Sequence, residues 1–321
     1  MNGTGLGSRL PWPAEGQASV YSEEAGFLGT SGWQDPTPTA SIAKVMAAYV
    51  ILRSHPLANG EAGPMITVDR AAEQEAHSSY ESTVPLVEGH SLTQRTLLEL
   101  VLVPSGSNAA RLLARWHSGD ESSFVREMNT MAAELGMART TYADVCGLDP
   151  ATRSTSEDQL ALARAAMDIP VFRSIVARYS TRLPGVGRLC STNKLLGRPG
   201  VIGLKTGTTT AAGGNLIWAA HAGRPGEEAL VLGVVMAQRP HTGLAEARTA
   251  VRAASIELIS SVRRELLPPD RRWRVALFSA RERVLHLAGW LGYHGHYYWS
   301  RTMARARAAT RQARTRSHRH P

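Results

Sequence analysis

Only three of the 36 basic residues in this 321-residue chain are lysines: Lys44, Lys194 and Lys205. The other 33 are arginines. Lys44 follows Ser41 by three residues in the stretch TASIAKVMAAYV. Apolar residues at Ile42, Val45, Met46, Tyr49 and Val50 have helical spacing, which predicts a helix over 41–54 with one buried stripe. On a helix, positions i and i+3 share a face. A serine hydroxyl is a poor nucleophile until a base takes its proton. Arginine stays protonated and cannot be that base, whereas lysine can once burial or a neighbouring cation lowers its pKa. Ser41 is therefore a candidate nucleophile and Lys44 its base, near a helix N-terminus whose N–H groups favour a developing anion.

A lone Ser-x-x-Lys is weak. With 26 serines, three lysines give about 0.24 such pairs by chance. Lys205 sits in GLKTGTT, and Lys-Thr-Gly is expected only about 0.02 times. Between the two lies VPSGSNAA, where Ser105 occupies a helix-breaking loop. The three motifs follow one another at intervals of about 60 and 100 residues, in the order of the signature shared by active-site-serine penicillin-binding proteins and class A β-lactamases.

Helices and strands must bring these motifs together. SLTQRTLLELVLV reads as a helix ended by Pro104, and NAARLLARW restarts one. SSFVREMNTMAAELGM is a further helix closed near Gly136. STSEDQLALARAAM begins at a Thr155 cap, so Glu157 and Asp158 read as helix-start acids and not as a catalytic pair. Residues 1–40 are rich in Gly, Pro, Ser and Thr and hold one or two short strands. From residue 200, GVIGLKTGTTT, NLIWAAHA and EALVLGVVMAQR read as strands, the last two joined by a turn in GRPGEE. A helix follows over AEARTAVRAASIELISSVRREL. Strands near both ends with helices between them predict an α+β layered domain with a helical insertion. Trp33, Trp116 and Trp218 read as core, and Lys194 as a surface or strand-edge residue.

The chain resembles low-molecular-mass penicillin-binding proteins, the serine-type D-alanyl-D-alanine carboxypeptidases of peptidase family S11. The likeness runs from about Leu10 to Ile259 and rests on PTASIAKVMAAYVIL, LLELVLVPSGSNAARLLARW, FVREMNTMAAELGMARTTYAD with GLDP, and STNKLLGRPGVIGLKTGTT. It looks nearest the actinobacterial branch, and the arginine bias fits a GC-rich coding sequence. The resemblance implies a β-lactamase/transpeptidase-like fold, an antiparallel sheet flanked by helices with a helical subdomain. It implies three segments: a flexible N-terminus over 1–9, a catalytic domain over 10–262 and a basic extension over 263–321. It implies no metal and no organic cofactor. The substrate would be a peptidoglycan stem peptide ending in D-Ala-D-Ala, with β-lactams as inhibitors, and the setting extracytoplasmic.

In the implied roles, Ser41 forms the acyl-enzyme, Lys44 takes its proton, and Ser105 relays a proton to the departing D-alanine. Lys205 and Thr206 hold the substrate carboxylate. The N–H groups of Ser41 and Thr208 form the oxyanion hole, and Gly207 with the Gly213-Gly214 pair lets the backbone approach the substrate. Two positions depart from the family pattern. The loop is usually Ser-x-Asn, whereas here Ser107 stands at the Asn position and Asn108 comes one residue later; both are candidate substrate contacts. Some members bind the terminal carboxylate with an arginine that aligns here with Leu244, leaving Arg239 and Arg248 nearby and unassigned. A class A β-lactamase is the first rival, but no Glu-x-x-Leu-Asn pattern lies between Ser105 and Lys205. A penicillin-sensing or peptidoglycan-binding module that acylates without turnover is the second.

The chain is 43% hydrophobic and 20% charged, enough apolar content for a sizeable core. Its net charge of +9 is uneven. Residues 271–321 hold twelve arginines and one acid, so the basic character belongs to the tail. The tail has no nucleic-acid-binding pattern and reads either as a solvated extension or as a membrane-surface anchor. His294 and His296 lack further ligands for a metal. Cys146 and Cys190 permit one bridge, with two buried free thiols the favoured reading. MNGTGLGSRLPWP has no apolar signal region, so an upstream start or a removed leader is expected for an enzyme acting outside the membrane.

Overall fold

A computed structural model describes residues 7–224 and 227–266. The basic tail from 267 onward, its membrane-surface reading and His294 with His296 lie outside the described residues, as do residues 1–6 and Pro225-Gly226 of the turn. Among the described residues, no helix is long and apolar enough to cross a membrane.

Strands β1 (Gln17–Ser22) and β2 (Gly26–Ser31) open the chain. After the two-residue β3 (Thr37–Pro38), a 3-10 turn at Ala40–Ala43 leads into α1 (Lys44–Ser54). Next come β4 (Met65–Thr67), α2 (Arg70–Glu75), β5 (Ser91–Thr93) and α3 (Gln94–Leu102). Helices α4 (Ser107–Ser118) and α5 (Glu121–Glu134) precede β6 (Arg153–Ser154), α6 (Ser156–Met167) and α7 (Pro170–Val176). The hairpin β7 (Ser180–Leu183)–β8 (Gly187–Cys190) is followed by β9 (Val201–Thr209), β10 (Gly213–Arg224), β11 (Glu227–Gln238) and α8 (Leu244–Leu266). Gly7–Arg9 form a 3-10 turn, and α8 runs through the expected boundary at 262.

The main sheet is antiparallel, in the order β2-β1-β11-β10-β9. Alternation along its strands fills two cores. Ile217 and Ala219 of β10, with Leu232, Val234 and Met236 of β11, join the core shared with α1, α3, α4 and α6. Leu216, Trp218 and Ala220, with Val231 and Val235, join Val251, Leu258 and Val262 of α8 on the other face. The order is thus α8, sheet, then helices, with β9 at a sheet edge. That antiparallel, helix-flanked architecture is the expected one.

Several local expectations change. Residues 91–93 pair with 65–67 as strands, and the helix starts at Gln94 because Thr93 caps it by accepting from the Thr96 N–H. Helix α1 is buried on every side from Lys44 to Leu52, not along one stripe, because small and apolar residues surround it as it threads the core. Trp218 is core and Trp116 partly buried, but Trp33 is 88% exposed. Thr155 does cap α6, accepting from the Asp158 N–H.

Candidate active site

Ser41 lies in the 3-10 turn, one residue after Ala40, whose φ is 48°. That left-handed backbone costs about 1–3 kcal/mol outside glycine and must be held by its surroundings. Three features hold it. The Thr39 N–H donates to the Thr152 carbonyl at 3.0 Å. Asn215 of β10 donates from Nδ2 to the carbonyls of Pro38 and Thr39, and its Oδ1 accepts from the Ala237 N–H. The loop around GLDP is tied by Asp144, which accepts from the N–H groups of Cys146, Gly147 and Leu148. This seats Gly147 against the Ala40 carbonyl, where any Cβ would collide.

Lys44 is fully buried, and its Nζ donates to Ser41 Oγ at 2.9 Å. Burial lowers its pKa, opposed by nearby Cys146 and Glu81 and aided by Arg111. Ser105 is the second strained residue, with φ 70°. Lys205 of β9 is also buried and donates from Nζ to Ser105 Oγ at 2.9 Å and to the Thr206 carbonyl at 2.9 Å. Burial, then the charge of Lys44, pushes Lys205 well below the ordinary lysine value. Two lysines each bonded to a serine thus meet at one site, and both are driven toward the neutral amine.

A cleft of about 410 Å³ opens here, lined by Ser41, Ser105, Thr206, Gly207 and Thr208 among others. Gly207 permits the approach of β9: a Cβ would lie 2.8 Å from the Ser41 nitrogen and 2.9 Å from that of Ile42. Gly213 and Gly214 have a different cause from the expected one. A Cβ on Gly213 would meet the Gln238 carbonyl, and one on Gly214 the Ala247 carbonyl and Val251, so they admit β11 and α8, not substrate.

The two candidates after Ser105 do not line the cleft. Asn108 is buried at 0% exposure with its amide committed: Oδ1 accepts from the Val84 N–H, and Nδ2 donates to the carbonyls of Val84 and Ala72. It fastens the 72–84 segment to α4. Ser107 is buried too; its N–H donates to the Ser82 carbonyl, and its Oγ has no partner. The cleft includes residues that sequence reasoning missed: Ser82, Asn215, Ser191, Thr192 and Asn193. Thr192 Oγ1 lies 2.8 Å from Thr206 Oγ1. Lys194 is exposed as expected, but on the cleft wall. Cys146 and Cys190 are free; Cys146 is buried with its thiol pushed up to about 11, whereas Cys190 is exposed at the cleft.

Residues 28–239 match the family model of peptidase S11, D-alanyl-D-alanine carboxypeptidase. The chain belongs to that family. This S11 chain is 36% identical over 193 residues to the D-alanyl-D-alanine carboxypeptidase DacB2 of Mycobacterium tuberculosis, covering 58% of this chain and 63% of that one. It is 32% identical over 203 residues to DacC of Escherichia coli, covering 60% and 50%. The match therefore spans half to under two thirds of those relatives' length. The crystal structure of the Streptomyces K15 DD-transpeptidase superposes with a TM-score of 0.65 at 26% identity, over 78% of this chain and 99% of that one. Penicillin-binding protein 6B from Escherichia coli gives 0.67 at 28% identity, over 79% of each. Both neighbours place the S11 chain in the β-lactamase/transpeptidase-like fold expected from its motifs.

Proposed function

We propose that this chain is a D-alanyl-D-alanine carboxypeptidase that removes the terminal D-alanine from peptidoglycan stem peptides through a Ser41 acyl-enzyme. The carrying observation is the 2.9 Å contact between buried Lys44 Nζ and Ser41 Oγ. Neutral Lys44 takes the hydroxyl proton as Ser41 attacks the carbonyl. The N–H groups of Ser41 and Thr208, both on the cleft, receive the oxyanion, a contribution typically worth ~100- to 1000-fold in rate. Ser105, held by Lys205, delivers a proton to the leaving amine. Lys205 and the Thr206 hydroxyl receive the substrate's terminal carboxylate. β-Lactams, which carry a carboxylate beside a strained amide, acylate the same serine.

Such a substrate lies outside the cytoplasmic membrane, so the enzyme works in the envelope or beyond it. A second reading, transfer of the acyl group to an amine instead of water, draws on the likeness to a DD-transpeptidase. The test is labelling with a fluorescent penicillin alongside D-alanine release from a D-Ala-D-Ala peptide, with and without an amine acceptor. Ser41→Ala should lose labelling and release together. Labelling that persists in Ser41→Ala would remove the nucleophile assignment. Labelling without any release or transfer would leave a penicillin-sensing module instead.

A further inference from the structure

The cleft wall carries positive charge that the proposed reaction does not use. Lys194, Arg248 and Arg252 line the cleft, and among the described residues no aspartate or glutamate does. The surrounding body is not basic: residues 1–270 hold 24 basic and 26 acidic side chains. Arg248 and Arg252 stand at i and i+4 on α8 and so share one face. Like charges at this spacing destabilise a helix. No acid relieves them from a neighbouring turn, because residues 244, 245, 249, 251, 255 and 256 are Leu, Ala, Thr, Val, Ser and Ile. Elsewhere the fold pairs its arginines readily: Arg111 grips Glu81, and Arg115 grips Asp69 and Glu121.

Packing fixes where this face sits. Val251, between the two arginines, is buried against Gly214, where a Cβ would lie 2.8 Å from its side chain. Gly214 pairs in register with Thr208 of β9. The arginines are therefore carried on the element that packs behind the strand edge beside Ser41. The proposed reaction assigns one terminal carboxylate to Lys205 and Thr206. Three further cations call for another anion.

We propose that Arg248 and Arg252, with Lys194 on the same cleft lining, form a second anion subsite that reads a carboxylate on the body of the peptide, distinct from its C-terminal carboxylate. The subsite rests on the carboxypeptidase reading for its substrate and extends it to acidic peptides.

The experiment uses the full chain and two peptides ending in D-Ala-D-Ala, identical except that the preceding residue carries a side-chain carboxylate or its carboxamide. At low salt the carboxylate peptide should show kcat/KM on the order of tenfold higher, mainly through KM, and the ratio should shrink as salt screens the exposed charges. The double variant Arg248→Ala, Arg252→Ala should bring the ratio close to one, with Arg248→Lys, Arg252→Lys keeping part of it. A wild-type ratio near one overturns the subsite, as does a ratio that survives the double alanine variant. Equal losses on both peptides overturn it too, since the arginines would then read the shared C-terminal carboxylate. If neither peptide is cleaved while penicillin still labels Ser41, the carboxypeptidase reading has failed separately. The same comparison then runs on acylation rates of two penicillins differing by one side-chain carboxylate, and a wild-type preference lost in the double alanine variant upholds the subsite.

Discussion

Replacing Lys44 separates a base from a mere charge. Lys44 is fully buried with Nζ 2.9 Å from Ser41 Oγ, and burial lowers its pKa. Lys44→Arg keeps the charge but removes the proton acceptor; Lys44→Met keeps approximate length and removes both. A general base contributes ~100- to 10,000-fold, or about 3–5 kcal/mol of barrier. Both variants should therefore acylate with penicillin at least ~100-fold more slowly. Their stabilities should diverge. Arginine must fit a larger group into a filled site, at about 1–3 kcal/mol. Methionine relieves a buried amine whose folded pKa lies below its unfolded one. Between the folded and unfolded pKa values the unfolded chain binds more protons, so the cost of Lys44 grows as pH falls from its unfolded pKa and levels off below the folded one. Lys44→Met should thus melt at or above wild type, with the gain growing as pH falls toward the folded pKa and constant below it. Stopped-flow acylation across pH, with melting curves on the same samples, reads all of this. Wild-type acylation should fall as pH drops and Lys44 protonates. A folded Lys44→Arg acylating within about threefold of wild type would refute the base, and the lysine would be there for charge alone.

Three other outcomes follow. Gly207→Ala sets a Cβ 2.8 Å from the Ser41 nitrogen with only backbone to yield, so melting should drop by the equivalent of about 1–3 kcal/mol and acylation should fall with it. Asn108→Ala strands the N–H and carbonyl of Val84 and the carbonyl of Ala72, so it should destabilise by about 1–3 kcal/mol or more; unchanged melting with a raised KM would instead make Asn108 a substrate contact. Burial drives Lys205 toward neutrality, so a carboxylate ligand should restore its charge: calorimetry of penicillin binding to Ser41→Ala in two buffers of different ionisation enthalpy should show proton uptake, and its absence at every pH where the protein stays folded would contradict that role.

The paired serines and lysines were legible because they are written in residue types with few substitutes. A lysine among arginines, a serine three residues earlier and a Lys-Thr-Gly strand need no tertiary information to stand out. The period-2 pattern of β10 and β11 was equally plain, since each strand divides its apolar residues between two cores. Short elements were not. The β4–β5 pair joins strands from separate stretches of the chain, and in it, as in the local β7–β8 hairpin, runs of four residues or fewer carry no period.

The misread positions share one cause. Asn108, Gly213 and Gly214 are polar or small residues beside the site, and a motif assigns such residues to the ligand. The structure gives each of them to the protein. Asn108 is spent on Val84 and Ala72, and the glycines on β11 and α8. Their work is to pack the elements that surround the site. The residues left for a ligand are those that line the cleft, and sequence spacing alone cannot separate the two groups. By that criterion Arg248 and Arg252 belong with the ligand. They sit in a helix far along the sequence from every motif, carry an unrelieved like charge, and face a cleft with no acid among the described residues that line it.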